Sequence, residues 1–249
     1  MAKTFYFDSA GLLESTLDDG TFSGTSFSSG TTITNEDRLI DQSLQTAASD
    51  IASGDALKIT FASSKPLDFL AVYFSAQETD NLSLYREVAS NTFSSVLDLT
   101  ATFSAGWTVG EFSSASATNW HLASTSGAVD NLTEIIVGKK LAFEVNPDVG
   151  IGEQEVFGVD LNTSIGGIEY AIKRHDSKST FSFTFSNISQ TFKEDLQTFE
   201  QAVQNFKKFI YSEDGTSGTF HYVRLDSPIQ FSEVAFQRYS ASFTIREQL

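Results

Sequence analysis

The sequence predicts a mainly β protein. An acidic jelly roll or β-sandwich over residues 1–165 is followed by a small α+β module over residues 166–249, an antiparallel sheet with one long amphipathic helix. Three observations predict it. The chain is 40% hydrophobic, with 23 Phe, 7 Tyr and 2 Trp among 249 residues. Aromatic and β-branched side chains suit half-buried pleated surfaces, and the Ser, Thr, Gly, Asp and Asn between them suit turns. The stretch KSTFSFTFSNISQTFKEDLQTFEQAVQNFKKFI then changes rhythm midway. Phe181, Phe183 and Phe185 alternate with polar residues, which is strand periodicity. Phe192, Leu196, Phe199, Val203, Phe206 and Ile210 follow in steps of four and three, which is helix periodicity.

Taken in order, residues 4–8 read as a short aromatic strand. Residues 17–35 are rich in Gly, Ser and Thr and read as a long loop. Leu57, Ile59 and Phe61 alternate as a strand, which Lys65 and Pro66 break. Residues 68–75 are a near-continuous apolar run, consistent with a strand buried on both faces. Leu82 and Leu84 mark another strand, and Leu97, Leu99, Ala101 and Phe103 a further one. Trp107, Trp120 and Leu122 fall in two short strands. Gly138, Lys139 and Lys140 read as a turn between strands 134–137 and 141–145. Residues 147–167 are less periodic and glycine-rich, and the module boundary falls there. Then come a strand at 179–188 and a helix at 191–211, with Thr191 and Glu194 at capping-box spacing. Asp214 and Gly215 make a turn, and strands follow at 219–225, 230–236 and 239–247.

Charge narrows the function. The net charge is −16, and residues 1–169 carry 7 Lys and Arg against 23 Asp and Glu, whereas residues 170–249 carry 9 against 9. The acidic part repels phosphate backbones, which argues against nucleic acid as a partner. The balanced part tolerates like-with-like packing. No Cys is present, so disulfides and Cys-based zinc sites are excluded. The N-terminus lacks the pattern of a signal peptide, and the longest apolar run, residues 69–74, is too short to span a bilayer.

Few motifs carry chemistry. His121, His175 and His221 lie in different segments without metal-ligand spacing. Glu144, Asp148, Glu153, Glu155 and Asp160 crowd the glycine-rich region, where calcium would require several converging oxygens. The fragment Val149, Gly150, Ile151, Gly152 lacks the context of a phosphate-binding loop. Asn81, Asn131, Asn162 and Asn187 open Asn-x-Ser/Thr triplets, which matter only in a secreted eukaryotic protein. Trp107 and Trp120 are candidates for stacking on a sugar, although Trp in an alternating strand is usually core. No catalytic, cofactor or metal residues are assigned.

The order of parts carries a resemblance. The segment from Asn119 to Leu122, followed by LTEIIVGKKLAF at 132–143, resembles the closing strands of discoidin-like, galactose-binding-like jelly rolls found in phage minor tail proteins. KRHDS at 173–177, the Phe strand, the helix and YSASFTIREQL at 239–249 look like the closing module of long-tailed phage tail-tip proteins, whose last strand ends Ile-x-Glu. The resemblance covers most of residues 55–249 and implies a non-enzymatic virion component, made in the bacterial host cytoplasm, at a tail tip or baseplate. It also implies a ring homo-oligomer that contacts tail tube, hub or tape measure. A host surface glycan is a further candidate partner; no cofactor or membrane insertion is implied. The helix stripe Phe192 to Ile210 is then an assembly face laid on a small sheet, with Phe209 off its centre. The alternative reading is a carbohydrate-binding module of a surface or secreted protein, which predicts exposed aromatics grouped on one loop face. A hydrolase with a carboxylate pair is a third.

Overall fold

The computed structural model describes residues 3–30, 32–48, 50–100, 103–148, 152–217 and 219–248. Ala101, the fragment 149–151 and Leu249 lie outside the described residues. The chain is mainly β. Its strands are β1 (Thr4–Phe7), β2 (Thr16–Phe22), β3 (Phe27–Ser29), β4 (Asp55–Phe74), β5 (Leu82–Ala89), β6 (Thr92–Leu99), β7 (Gly106–Ser124), β8 (Leu132–Ala142), β9 (Gly152–Thr163) and β10 (Glu169–Ser189). The helix α1 (Gln190–Val203) follows, then β11 (Lys208–Ser212), β12 (Phe220–Leu225), β13 (Gln230–Ala235) and β14 (Arg238–Glu247).

Two compact units divide the chain. The first comprises Lys3–Ala142 with Phe209–Phe220, the second Phe143–Lys208 with His221–Leu249. The division thus lies at Phe143, not after residue 165, and the chain returns to the first unit near its end. The return has a backbone cause: β1 pairs on one side with β8 and on the other with β11, Phe5 lying opposite Tyr211.

The first unit is an antiparallel sandwich built around β4. One edge of β4 pairs with β7 along its length, and the other pairs first with β2 and then with β8. Leu57, Ile59, Leu70, Val72, Phe74, Leu84, Trp120, Leu122, Ile135 and Val137 fill its core. Several sequence expectations are corrected here. Residues 17–35 are not a loop throughout, since β2 and β3 form a hairpin whose first strand is held by pairing with β4. Periodicity missed it because that strand, LDD-G-T, is mostly polar; backbone pairing fixes it instead. Pro66 does not end its strand. It sits between two register shifts in β4, the irregular positions at which a sheet tolerates proline. Trp107 and Trp120 belong to the single long β7. Gly138 is no turn either. It lies within β8 where a Cβ would stand 2.1 Å from the Phe7 carbonyl oxygen, so the missing side chain admits β1.

In the second unit β10 pairs with β9 on one side and β14 on the other, and β12 and β13 both pair with β14. Phe181, Phe183 and Phe185 point inward with Ala241, Phe243 and Ile245 of β14, and α1 contributes Phe192, Leu196, Phe199 and Val203; all are buried. Phe143 meets Phe183 and Phe185 edge-on at 5.8 and 5.4 Å. The helix is shorter than the 191–211 expected. Ser189, not Thr191, caps it, its hydroxyl accepting from the Phe192 amide at 3.1 Å. Gln204 and Asn205, at φ 47° and 61°, end it in the left-handed region.

Candidate assembly surface

The expected helix stripe is split. Phe192, Leu196, Phe199 and Val203 are spent on the second unit's own core. Phe206 follows the helix and is 59% exposed, while Phe209 and Ile210 are fully buried in β11. The helix therefore offers no continuous apolar face to a neighbour.

Most of the exposed large apolar side chains lie elsewhere, on the β9–β10 hairpin. Val159, Leu161, Tyr170 and Ile172 alternate along its two strands, with Leu161 78% exposed. Cross-strand partners share a face. Leu161 lies opposite Ala171, and Val159 opposite Lys173; Tyr170 lies opposite Asn162, and Ile172 opposite Asp160. Both faces of this ribbon thus carry large apolar side chains, and every residue of 169–176 is exposed. At the tip, Gly167 adopts φ 78° and donates to the Ser164 carbonyl at 2.9 Å, leaving Ile165 wholly exposed and Ile168 70% exposed.

Nearer the base, two register shifts flank His175. Its ring covers Gly158, where a Cβ would come within 2.5 Å of it. Phe157, Val159, Lys173, His175 and Asp176 line a groove of about 400 Å³ there. Lys173 bonds and pairs with Asp176, holding that carboxyl below its ordinary value. Arg174 pairs with Asp160 at 2.5 Å. These pairs are solvent-exposed and contribute little to stability. Beyond them, residues 161–172 carry one charge, Glu169.

β9 is also an open edge. Among the described residues it pairs with β10 alone. Its 12 residues contain no Pro and no Lys, and of the devices that blunt a free edge it carries the carboxylates Glu153, Glu155 and Asp160 and two register shifts near its base. A two-stranded ribbon with apolar residues on both faces is marginal alone in water, and burial against another surface would stabilise it.

The other candidates are placed as follows. Trp120 is fully buried, its Nε1 donating to the Ala117 carbonyl at 3.2 Å, so it cannot stack on a sugar. Trp107 is half-buried and meets Tyr73 edge-on at 5.3 Å. His175 is exposed, His221 lies 3.4 Å from Glu247, and His121 is fully buried in the first unit. Glu144 accepts from Ser189, Asp148 from Ser186, and Asp160 pairs with Arg174. Glu153 and Glu155 stand along the β9 edge opposite Phe181 and Ser179. Among the described residues no three His, Asp or Glu side chains converge in metal-binding geometry. No helix among them is long and apolar enough to cross a membrane. The sequence did hold a signal for the ribbon: Val159–Leu161 and Tyr170–Ile172 alternate on either side of the SIGG turn.

No family model and no curated protein sequence matches the chain. Solved structures do. Chitosan-binding module 1 of a chitosanase/glucanase from Paenibacillus sp. IK-5 is 15% identical at a TM-score of 0.39, covering 54% of this chain and 100% of its own. Module 2 of the same enzyme, in complex with chitotriose, is 16% identical at 0.39, covering 51% and 98%. The CBM32-5 module of CpGH89 from Clostridium perfringens, in complex with GalNAc-β-1,3-galactose, is 11% identical at 0.38, covering 50% and 95%. These scores assign no activity to this chain.

Proposed function

We propose that this chain is a non-catalytic structural protein that assembles with further copies of itself through the β9–β10 ribbon, as a component of a bacteriophage tail tip or baseplate. The observation that carries the assembly reading is the ribbon, exposed and apolar on both faces, with its outer strand paired on one side only among the described residues. The even charge balance of residues 170–249 supports contact between like copies. A ribbon that docks on a different surface of the next copy makes a head-to-tail contact, and such contacts close rings when the rotation allows. The tail assignment rests on the order of parts in the sequence; none of the solved structures named above is a tail protein.

Mass photometry of the full chain at rising concentration tests assembly. A discrete oligomer is expected, and the double variant Leu161→Asp, Ile165→Asp should remain monomeric with an unchanged melting temperature. A wild type that stays monomeric throughout, or a variant that assembles as well as wild type, removes the reading. Mass spectrometry and gold labelling of purified virions test the tail assignment separately.

A second reading is carbohydrate binding by the first unit. The observation that favours it is the half-buried Trp107–Tyr73 pair, since an aromatic face can stack on a sugar ring. Complexes with chitotriose and with GalNAc-β-1,3-galactose are named for two of the modules above. A glycan array followed by calorimetry decides it: saturable binding to one sugar class, lost in Trp107→Ala, would establish this reading.

A further inference from the structure

His121 is an unusual core residue. It is fully buried on β7, and neither ring nitrogen has a hydrogen-bond partner among the described residues. Three phenylalanines enclose it. Phe93 of β6 stacks on it at 3.8 Å and 16°, Phe27 of β3 lies at 4.5 Å, and Phe22 of β2 meets it edge-on at 5.0 Å. Phe faces attract an imidazolium, which offsets only part of the cost of taking its charge out of water. A buried cation with no carboxylate beside it is strongly disfavoured.

The charged and titratable groups sharing this face of the sheet come from four strands. Lys58 of β4 and Tyr85 of β5 lie opposite His121 in register. Glu87 of β5 is taken up by Asn119 and by the Asn91 amide. Asp98 of β6 lies near Tyr85, and Asp18 of β2 lies opposite Lys58. β3 and β7 add no other ionisable group to this face. The nearest charge to the imidazole is therefore Lys58, of the same sign as a protonated ring. Burial first, and then Lys58, push the His121 pKa down from 6.5 to about 3.

The cage has a removable wall. Two of its three rings stand on the β2–β3 hairpin. That hairpin is fastened to the β5–β6 turn by three hydrogen bonds. Phe27 N donates to Asn91 Oδ1 at 3.1 Å, Asn91 Nδ2 donates to Phe27 O at 3.0 Å, and Phe93 N donates to Thr25 O at 2.9 Å. Asn91 holds this pose at φ 49°. We propose that β3, which pairs only with β2 among the described residues, is an acid-released cover: a proton taken up by His121 destabilises its aromatic cage, the Asn91 fastening parts while β2 stays laddered to β4, and the Phe27 and Phe93 rings become exposed.

The sign follows from linkage. The closed form binds the proton more weakly than the open form, so closure is complete above pH 6.5 and weakens as pH falls. Each unit below that value costs the closed form about tenfold until about pH 3, so a cover closed a hundredfold at neutral pH opens near pH 4.5. The test is a pH titration of the full chain by amide and side-chain NMR. Signals of Phe27, Asn91 and Phe93 should change together on acidification, with a rise in binding of an apolar dye, while those of Leu70 and Val72 hold. His121→Phe should abolish the transition. Asn91→Ala leaves the cage intact and should raise its midpoint by about one pH unit, the shift expected from a tenfold weaker closure. Loss of all signals together, no change down to pH 3, or an unmoved midpoint in Asn91→Ala would each overturn the proposal.

Discussion

β4 and β10 are nearly equal in length, 20 and 21 residues, and they meet opposite surroundings. β4 is paired on both edges along most of its length, and Phe69, Leu70, Ala71 and Val72 are fully buried in succession. β10 behaves as two strands joined end to end. Its second half lies between β9 and β14 beneath α1 and alternates buried Phe with exposed Ser and Thr. Among the described residues its first half pairs with β9 alone, and residues 169–176 are all exposed. Apolar content does not separate these regions; a second neighbouring strand and a covering layer do. The same side-chain type therefore contributes to the core in one place and stands exposed in the other.

Substitutions can break or sharpen this contrast. The largest effect is expected at Trp120, beside β4, whose change to Ala should cost about 3–5 kcal/mol in denaturant unfolding. Phe183→Ala, in the covered half of β10, should cost a similar amount, about 3–5 kcal/mol. The counterpart on the adjacent strand is Phe157, 67% exposed; its change to Ala should move monomer stability by no more than about 0.5 kcal/mol. Equal costs at Phe183 and Phe157 would erase the distinction between core and ribbon.

Asp19 tests what holds the segment after β3 against β2. Burial works against its ionised carboxylate, but bonds from the Ile33 amide and from the Thr32 amide and hydroxyl outweigh it and hold the carboxyl below its ordinary 3.8. Asp19→Asn should cost about 1–2 kcal/mol at pH 7. Because the folded form favours the ion, the wild-type contribution is whole above the ordinary carboxylate range. It drains away as pH falls through the folded value, so the gap between wild type and variant should close in acid. The smallest effect belongs to Arg174→Ala, which removes the exposed pair with Asp160; about 0.5 kcal/mol or less is expected, vanishing at high salt.

Much of the fold was legible in periodicity. Residues 55–61, 68–74, 82–84 and 181–185 alternate or run apolar and are strands, and the steps from Phe192 to Val203 are helical. Where backbone pairing or close approach decides, periodicity fails. Polar β2 is a strand because β4 offers it a ladder, and Gly138 imitates a turn while making room for β1. Phe206 and Ile210 continued the helical spacing beyond the helix by coincidence, since Gln204 and Asn205 had already turned the chain. The ribbon was passed over because two register shifts and a glycine-rich stretch interrupt its alternation. His121 showed nothing in sequence, because its significance lies in three rings brought from β2, β3 and β6.

The pairing of Phe5 with Tyr211 sets an order of events at the ribosome. β1 waits for one of its two lateral partners until roughly two hundred further residues have been translated, about 10–40 s at ordinary elongation rates. Through that interval the nascent sandwich has one bare margin, so emergence of β11, not of the strands that precede it in the first unit, should time its completion.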